Sequence, residues 1–158
     1  MPITTTHDEH GIADVVMDCP PVNALTVAEW FELAEAVRSL GTRADVRAVI
    51  LRAEGRGFNA GVDIKELAAD SSWITRVNRA CFDAFAAVHD CPVPVIAACH
   101  GFVLGGGIGL VGSCDIIVAA HDASFGLPEI DRGALGAASH LMRMFPIQKV
   151  RKMLFTGE

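Results

Sequence analysis

Apolar and polar positions along this 158-residue chain switch between a two-residue and a helical period, which predicts strands alternating with amphipathic helices. Residues 12–18 (IADVVMD) alternate and run into Pro20-Pro21, a strand closed by a turn. Thr26 opens the run TVAEWFELAEAVRSLG. Thr26 and Glu29 have the spacing of a capping box, and Gly41 stands where a C-cap is expected. On that helix Trp30, Leu33, Ala34, Val37 and Leu40 share one face. Residues 46–53 (VRAVILRA) predict a mostly buried strand, followed by the loop EGRGFNAG and a helix start at residues 63–67. Residues 72–90 predict a longer helix with Ile74, Val77, Cys81, Phe82, Phe85 and Val88 on its apolar face, stopped at Cys91-Pro92. Residues 95–99 and 115–119 predict two further buried strands, and residues 136–155 a helical tail broken at Pro146. No repeat, low-complexity tract or linker intervenes, so residues 1–158 read as one α/β domain.

Composition narrows the function classes. A net charge of −6 without a lysine or arginine cluster excludes a nucleic-acid footprint. The five cysteines are odd in number and lack CxxC spacing, which predicts reduced thiols in a cytoplasmic protein and no metal site. Residues 93–114 are apolar over a length that could span a bilayer. Six glycines, Pro94 and His100 within them instead predict a strand, a glycine turn and a short buried helix. The start, MPITTTHDEH, is polar and acidic and carries no signal-peptide pattern, so no membrane partner is expected.

The candidate chemistry lies in the glycines. Gly105-Gly106-Gly107 precedes a helix-like stretch beginning at Ile108, and backbone N–H groups there can approach a ligand oxygen unobstructed. Gly107-x-Gly109-x-x-Gly112 formally matches a dinucleotide fingerprint, but only residues 110–114 separate it from the next strand, too few for the crossover helix such a fold needs. A phosphate ligand would also need cations, with Arg52, Arg56 and Lys65 nearest. Packing alone would explain one glycine run. The second loop, Phe58-Asn59-Ala60-Gly61-Val62-Asp63-Ile64-Lys65, also joins strand to helix. Two such loops can aim two N–H groups at one oxygen, which is an oxyanion hole.

The loop FNAGVDIK, the run HGFVLGGGIGL, the segment from DIIVA to ASFGLPE and the early PPVNAL together resemble the crotonase (enoyl-CoA hydratase/isomerase) superfamily over essentially the whole chain. The resemblance implies a spiral core of ββα units and an acyl-CoA substrate, with no tightly bound cofactor. It implies that the N–H groups of Val62 and Gly106 form the oxyanion hole and that Glu129 is the acid/base. Ala60, Gly61, Asp63 and Ile64 would line the coenzyme A path beside Gly105, with Lys65 near its phosphates.

Departures from the pattern redirect the reaction. Hydratases of the family use two glutamates, and Gly109 stands in place of one. Ala137 stands where dienoyl-CoA isomerases carry an aspartate. These changes, with the segment RGALGAASHL, resemble an actinobacterial subgroup that opens a bicyclic steroid-derived acyl-CoA by hydrolysis. Gly109 is then expected to leave room for a bulky ring, with Leu135 and His140 shaping the acyl pocket. Fatty-acid-type enoyl-CoA hydration or isomerisation, or acyl-CoA binding without turnover, are the alternatives.

Single residues have simpler readings beside these. Glu129 can be a solvated surface carboxylate. Asp131 is either a second acid/base or a surface partner of Arg132. His100, at the end of an expected buried strand, fits a hydrogen-bonded core histidine better than a catalyst. Asp63 fits a helix cap, His140 fits either pocket or packing, and Cys99 and Cys114 fit buried small apolar residues. The resemblance further implies about a hundred more residues, a helical region closing over the ligand and mediating trimers. The chain as given is therefore expected to expose apolar surface and to work as a homotrimer or hexamer, or with a chain supplying that region.

Overall fold

A computed structural model describes residues 2–65, 71–132 and 136–158 of the chain. Its sheet is built from β1 (Ile3–His7), β2 (Ile12–Met17), β3 (Ala48–Ala53), β4 (Val95–Cys99) and β6 (Ile116–Ala119), adjacent in that order. The first pair is antiparallel and the rest parallel, with Val15 opposite Leu51, Leu51 opposite Ala97 and Ile96 opposite Ile116. β5 (Phe102–Leu104) and β7 (Ser124–Gly126) form a separate parallel pair. Helices α1 (Val27–Gly41) and α2 (Ile74–His89) pack together, and the short α3 (Gly106–Val111) packs on α2. Helices α4 (Ala138–Leu141) and α5 (Ile147–Thr156) complete the described chain.

Strands β3 and β4 bury alternate residues, Val49, Leu51, Ala53 and Val95, Ala97, Cys99. Period-two alternation places these side chains on one face, and they join Trp30, Leu33 and Val37 of α1 in the core. The expected apolar stripe of α1 is buried throughout. Its capping box is also present: Thr26 accepts from the Glu29 N–H, and the Glu29 carboxylate accepts from the Thr26 N–H at 2.7 Å. A bidentate ion pair, Arg38 to Asp83, ties α1 to α2 at 2.7 and 3.0 Å.

Several expectations are corrected. Gly41 is the last residue of α1 and Thr42 is the C-cap. A side chain at Gly41 would meet the Cys91 sulfur at 2.7 Å, so close approach is the reason for that glycine. On α2 the buried residues are Val77, Ala80, Ala84, Ala87 and Val88, whereas Ile74 and Phe82 are 48% and 64% exposed. The strand expected at 115–119 is the sheet edge. It has no neighbour beyond it among the described residues, which leaves Ile116 and Val118 52% and 58% exposed. Helix α3 starts at Gly106 rather than at Ile108. β1 is a threonine-rich edge strand with only Ile3 buried, so it carries no alternating pattern. β5 is hidden in sequence within one long apolar run. Of the helix expected at 63–67, helical backbone begins at Ile64 and Lys65, and the rest lies outside the described residues.

Candidate active site

The two glycine loops meet. Asn59 pairs with Val103, and Leu25 with Val62, as isolated parallel bridges, so the 58–65 loop is anchored on both sides. Two buried asparagines complete the anchoring. The Asn59 side-chain oxygen accepts from the Gly61 N–H at 2.8 Å while its amide donates to the Asn23 carbonyl at 2.6 Å. Asn23 in turn donates to the carbonyls of Glu54 and Gly57 at 2.8 and 2.9 Å. Gly61 then turns with φ +88°, a conformation open to glycine at little cost. A Cβ there would lie 2.9 Å from the Gly106 nitrogen, so the chain carrying Val62 passes directly against the start of α3.

Neighbouring backbone donors are already used. Leu104 donates to Asn59, Gly105 to Gly126, Gly61 to Asn59 and Asp63 to Leu25. The N–H groups of Val62 and Gly106 have no acceptor among the described residues. Two adjacent donors without an acceptor, one at a helix start, are able to donate to one partly negative oxygen.

Glu129 closes this corner. It lies in a 3₁₀ turn (Pro128–Arg132), and its Oε1 stands 2.8 Å from where a Gly105 Cβ would be and 3.4 Å from the same position on Gly136. The other oxygen, Oε2, is buried and has no hydrogen-bond partner among the described residues. Burial lifts the carboxyl above its ordinary pKa, opposed only by a hydrogen bond from its own backbone N–H. The reading of Glu129 as a solvated surface group therefore fails. Burial favours its neutral form, and Oε1 stands at the glycine corner.

Behind the glycines stands an aromatic ladder. Trp30, fully buried and with no partner for its indole N–H among the described residues, sits 2.8 Å from a Cβ position on Gly106. Phe85 meets Trp30 edge-on at 5.8 Å, and His140 meets Phe85 at 5.0 Å. A Cβ on Gly109 would overlap the Phe85 ring. The space expected beside Gly109 for a bulky ligand ring is thus filled by Phe85. Ala137, in the left-handed region at φ 47°, turns the chain between Gly136, which faces Glu129, and His140, which faces Phe85. Desolvation, with Arg143 and His89 adding to it, holds the His140 imidazole below its usual pKa, which keeps it neutral at pH 7.

Other expected site residues are placed elsewhere. Asp63 accepts from the Lys65 N–H at 2.9 Å, the expected cap geometry, while Ile64 and Lys65 are exposed and Ala60 and Asp63 half-buried. A cleft of about 510 Å³ runs past Asp63, Ala24, Thr26 and Glu29, and Glu129 does not line it. Arg52 is occupied by Asp14 and Glu54, which leaves Lys65 and Arg56 as nearby cations. Asp131 is exposed and lies against Gly157 beyond α5, with no described contact to Glu129. Its expected pairing with Arg132 falls on a side chain outside the described residues, as does Leu135. His100 contacts the Gly55 carbonyl through Nε2 at 3.0 Å, a structural bond. All five cysteines are free, and burial pushes Cys81 and Cys99 up to about 12, so neither is a thiolate nucleophile at neutral pH. No helix among the described residues is long and apolar enough to cross a membrane.

Comparison with known proteins gives a consistent result. The chain is 59% identical to the (7aS)-7a-methyl-1,5-dioxo-2,3,5,6,7,7a-hexahydro-1H-indene-carboxyl-CoA hydrolase of Mycobacterium tuberculosis (strain ATCC 25618 / H37Rv), a match covering 99% of the chain and 64% of that protein. It is 57% identical to the protein of the same name from Rhodococcus jostii (strain RHA1), over 100% of the chain and 62% of that relative. The chain thus spans under two thirds of the length of these relatives. A crystal structure of an enoyl-CoA hydratase from Mycobacterium smegmatis superposes with a TM-score of 0.94 at 34% identity, covering 100% of the chain and 63% of that structure. The α/β fold is therefore the one that the glycine loops pointed to. Residues 7–158 match the family described as enoyl-CoA hydratase/isomerase, and the chain belongs to that family.

Proposed function

We propose that this chain carries the oxyanion hole and the acid/base of an acyl-CoA enzyme that opens a ring by hydrolysis. The observation that carries it is the meeting of two N–H groups without an acceptor among the described residues, on Val62 and Gly106, with one desolvated carboxylate, Glu129, around Gly61, Gly105 and Gly106. Enzymes of this family act on coenzyme A thioesters. In this reading the thioester carbonyl oxygen takes both donors. Glu129 removes a proton from water as it adds to a ring ketone. The C–C bond between that carbon and the thioester α-carbon then breaks, and its electron pair passes into the thioester as an enolate held by the two N–H groups. Returning the proton from Glu129 to the α-carbon completes the addition of one water. One carboxylate suffices for this sequence, and Phe85 in place of a second one beside Gly109 fits it. The high identity to two indene-carboxyl-CoA hydrolases supports the substrate class, a bicyclic ketone bearing the thioester. Ala60, Gly61 and Asp63 would flank the pantetheine arm, with the phosphates at Lys65 rather than in the neighbouring cleft, whose lining carries Asp18, Glu29 and Asp63. Self-association into a trimer or hexamer goes with the reading, supported by the exposed apolar edge strand β6. The five free thiols support a reducing compartment such as the cytoplasm.

The test is a comparison of two substrates. Incubated with a dioxo-hexahydroindene-carboxyl-CoA, the chain is expected to give a ring-opened product heavier by one water, seen by mass spectrometry, and to leave crotonyl-CoA unhydrated. Hydration of crotonyl-CoA with the bicyclic ester untouched would replace ring opening by the hydratase reading. No change in either ester, with both bound, would leave an acyl-CoA-binding protein.

A further inference from the structure

We infer that Phe85 sets how bulky an acyl group this site accepts. The inference rests on the acyl-CoA reading and adds a residue to it that the sequence patterns do not mark. A closed circuit of neighbours surrounds the first turn of α3. Glu129 stands against Gly105 and Gly136. The chain runs from Gly136 to His140, His140 meets Phe85, Phe85 meets Trp30, and Trp30 backs Gly106. An acyl group whose carbonyl oxygen sits on the Gly106 N–H, with its α-carbon at Glu129, extends into this circuit. Phe85 joins the circuit between Trp30 and His140. Its ring lies on Gly109, one turn along α3 from Gly106, in space that any side chain at 109 would claim.

The geometry makes Phe85 a wall that can move. Phe85 is half-buried, whereas Trp30 is fully buried. What meets Gly109 is the far end of a side chain with two torsions, not backbone. A phenylalanine ring has no hydrogen bond to hold it, so apolar packing, including the ring contacts with Trp30 and His140, sets its place. Swinging the ring off Gly109 opens volume beside the enolate position, and the small residue at 109 is what allows the ring to lie there otherwise.

The experiment compares the affinity of the chain for two esters that lack a ring ketone, butyryl-CoA and indane-carboxyl-CoA, by isothermal titration calorimetry. Phe85→Ala is expected to shift the ratio of the two affinities toward the bicyclic ester by about tenfold or more, the scale at which pocket volume discriminates acyl groups. Phe85→Leu shifts it less in the same direction and serves if the alanine variant does not fold. Gly109→Ala, which must displace the ring, changes the ratio in the unmutated background and leaves it unchanged in the Phe85→Ala background, because the two positions act through one ring. A ratio that stays constant across the variants while both esters bind overturns the inference and reduces Phe85 to packing. Failure of the unmutated chain to bind either ester overturns the acyl-CoA reading itself, and this inference with it.

Discussion

Replacing Glu129 with glutamine is expected to cut turnover by about two to four orders of magnitude, the contribution of a positioned acid/base, while acyl-CoA binding persists. The two side chains have nearly the same volume, so the corner formed with Gly105 and Gly136 stays filled. What is lost is the proton site. Burial raises the Glu129 pKa in the folded chain above its unfolded value, so folding favours the neutral form. The sign of the stability effect follows. Stability associated with this group is present at pH below the unfolded value and declines as pH rises through the raised folded value. Glu129→Gln is therefore expected to leave the melting temperature at neutral pH unchanged or higher, so lost turnover cannot be ascribed to unfolding. The same raised pKa places the acid limb of kcat/KM at higher pH than an exposed glutamate would, and that limb vanishes in the glutamine variant. Steady-state kinetics against pH read the turnover and the acid limb, titration calorimetry the binding, and a thermal melt the stability. Retained turnover in Glu129→Gln would remove this residue from the chemistry.

Gly61→Ala is the second large effect, and it acts on stability and activity together. Its φ of +88° costs a residue with a Cβ about 1–3 kcal/mol. The added methyl would also stand 2.9 Å from the Gly106 nitrogen, which is backbone and cannot swing aside. The loop and α3 must part, so the Val62 and Gly106 donors no longer face one oxygen. Loss of one such donor costs about 10²–10³ in kcat. Gly55 provides the control. Its φ is +84°, yet a Cβ there meets nothing within 4 Å. Gly55→Ala is expected to lower the melting temperature through backbone strain alone and to keep its turnover. Equal kinetic losses in the two variants would show strain, rather than donor placement, to be the cause.

Local features of this site were legible in sequence because short-range chemistry dictates them. The Thr26–Glu29 box, the buried stripe of α1 and the two glycine loops all formed as their residues imply. Asn59 went unassigned, although an asparagine two residues before a glycine is the signal of a side chain that bonds its own backbone. Features set by distant parts of the chain were not legible. Gly109 looked like open space, and only tertiary packing brings Phe85 from another helix onto it. The apolar run at 115–119 reads as buried by composition, but its place at the end of the strand order leaves it exposed. The motif singles out Glu129 for a proposed role, whereas the burial of its Oε2 was not legible, since it depends on tertiary packing around Gly105 and Gly136.

The proposed convergence of two backbone donors on one thioester oxygen is testable amide by amide. In a ¹⁵N–¹H correlation spectrum of the chain titrated with butyryl-CoA, the amide protons of Val62 and Gly106 are expected to move downfield together, as amide protons do on donating to an acceptor. Coenzyme A without the acyl group should leave both in place while shifting residues along its own path near Lys65. Binding of butyryl-CoA with neither amide displaced would contradict the oxyanion hole.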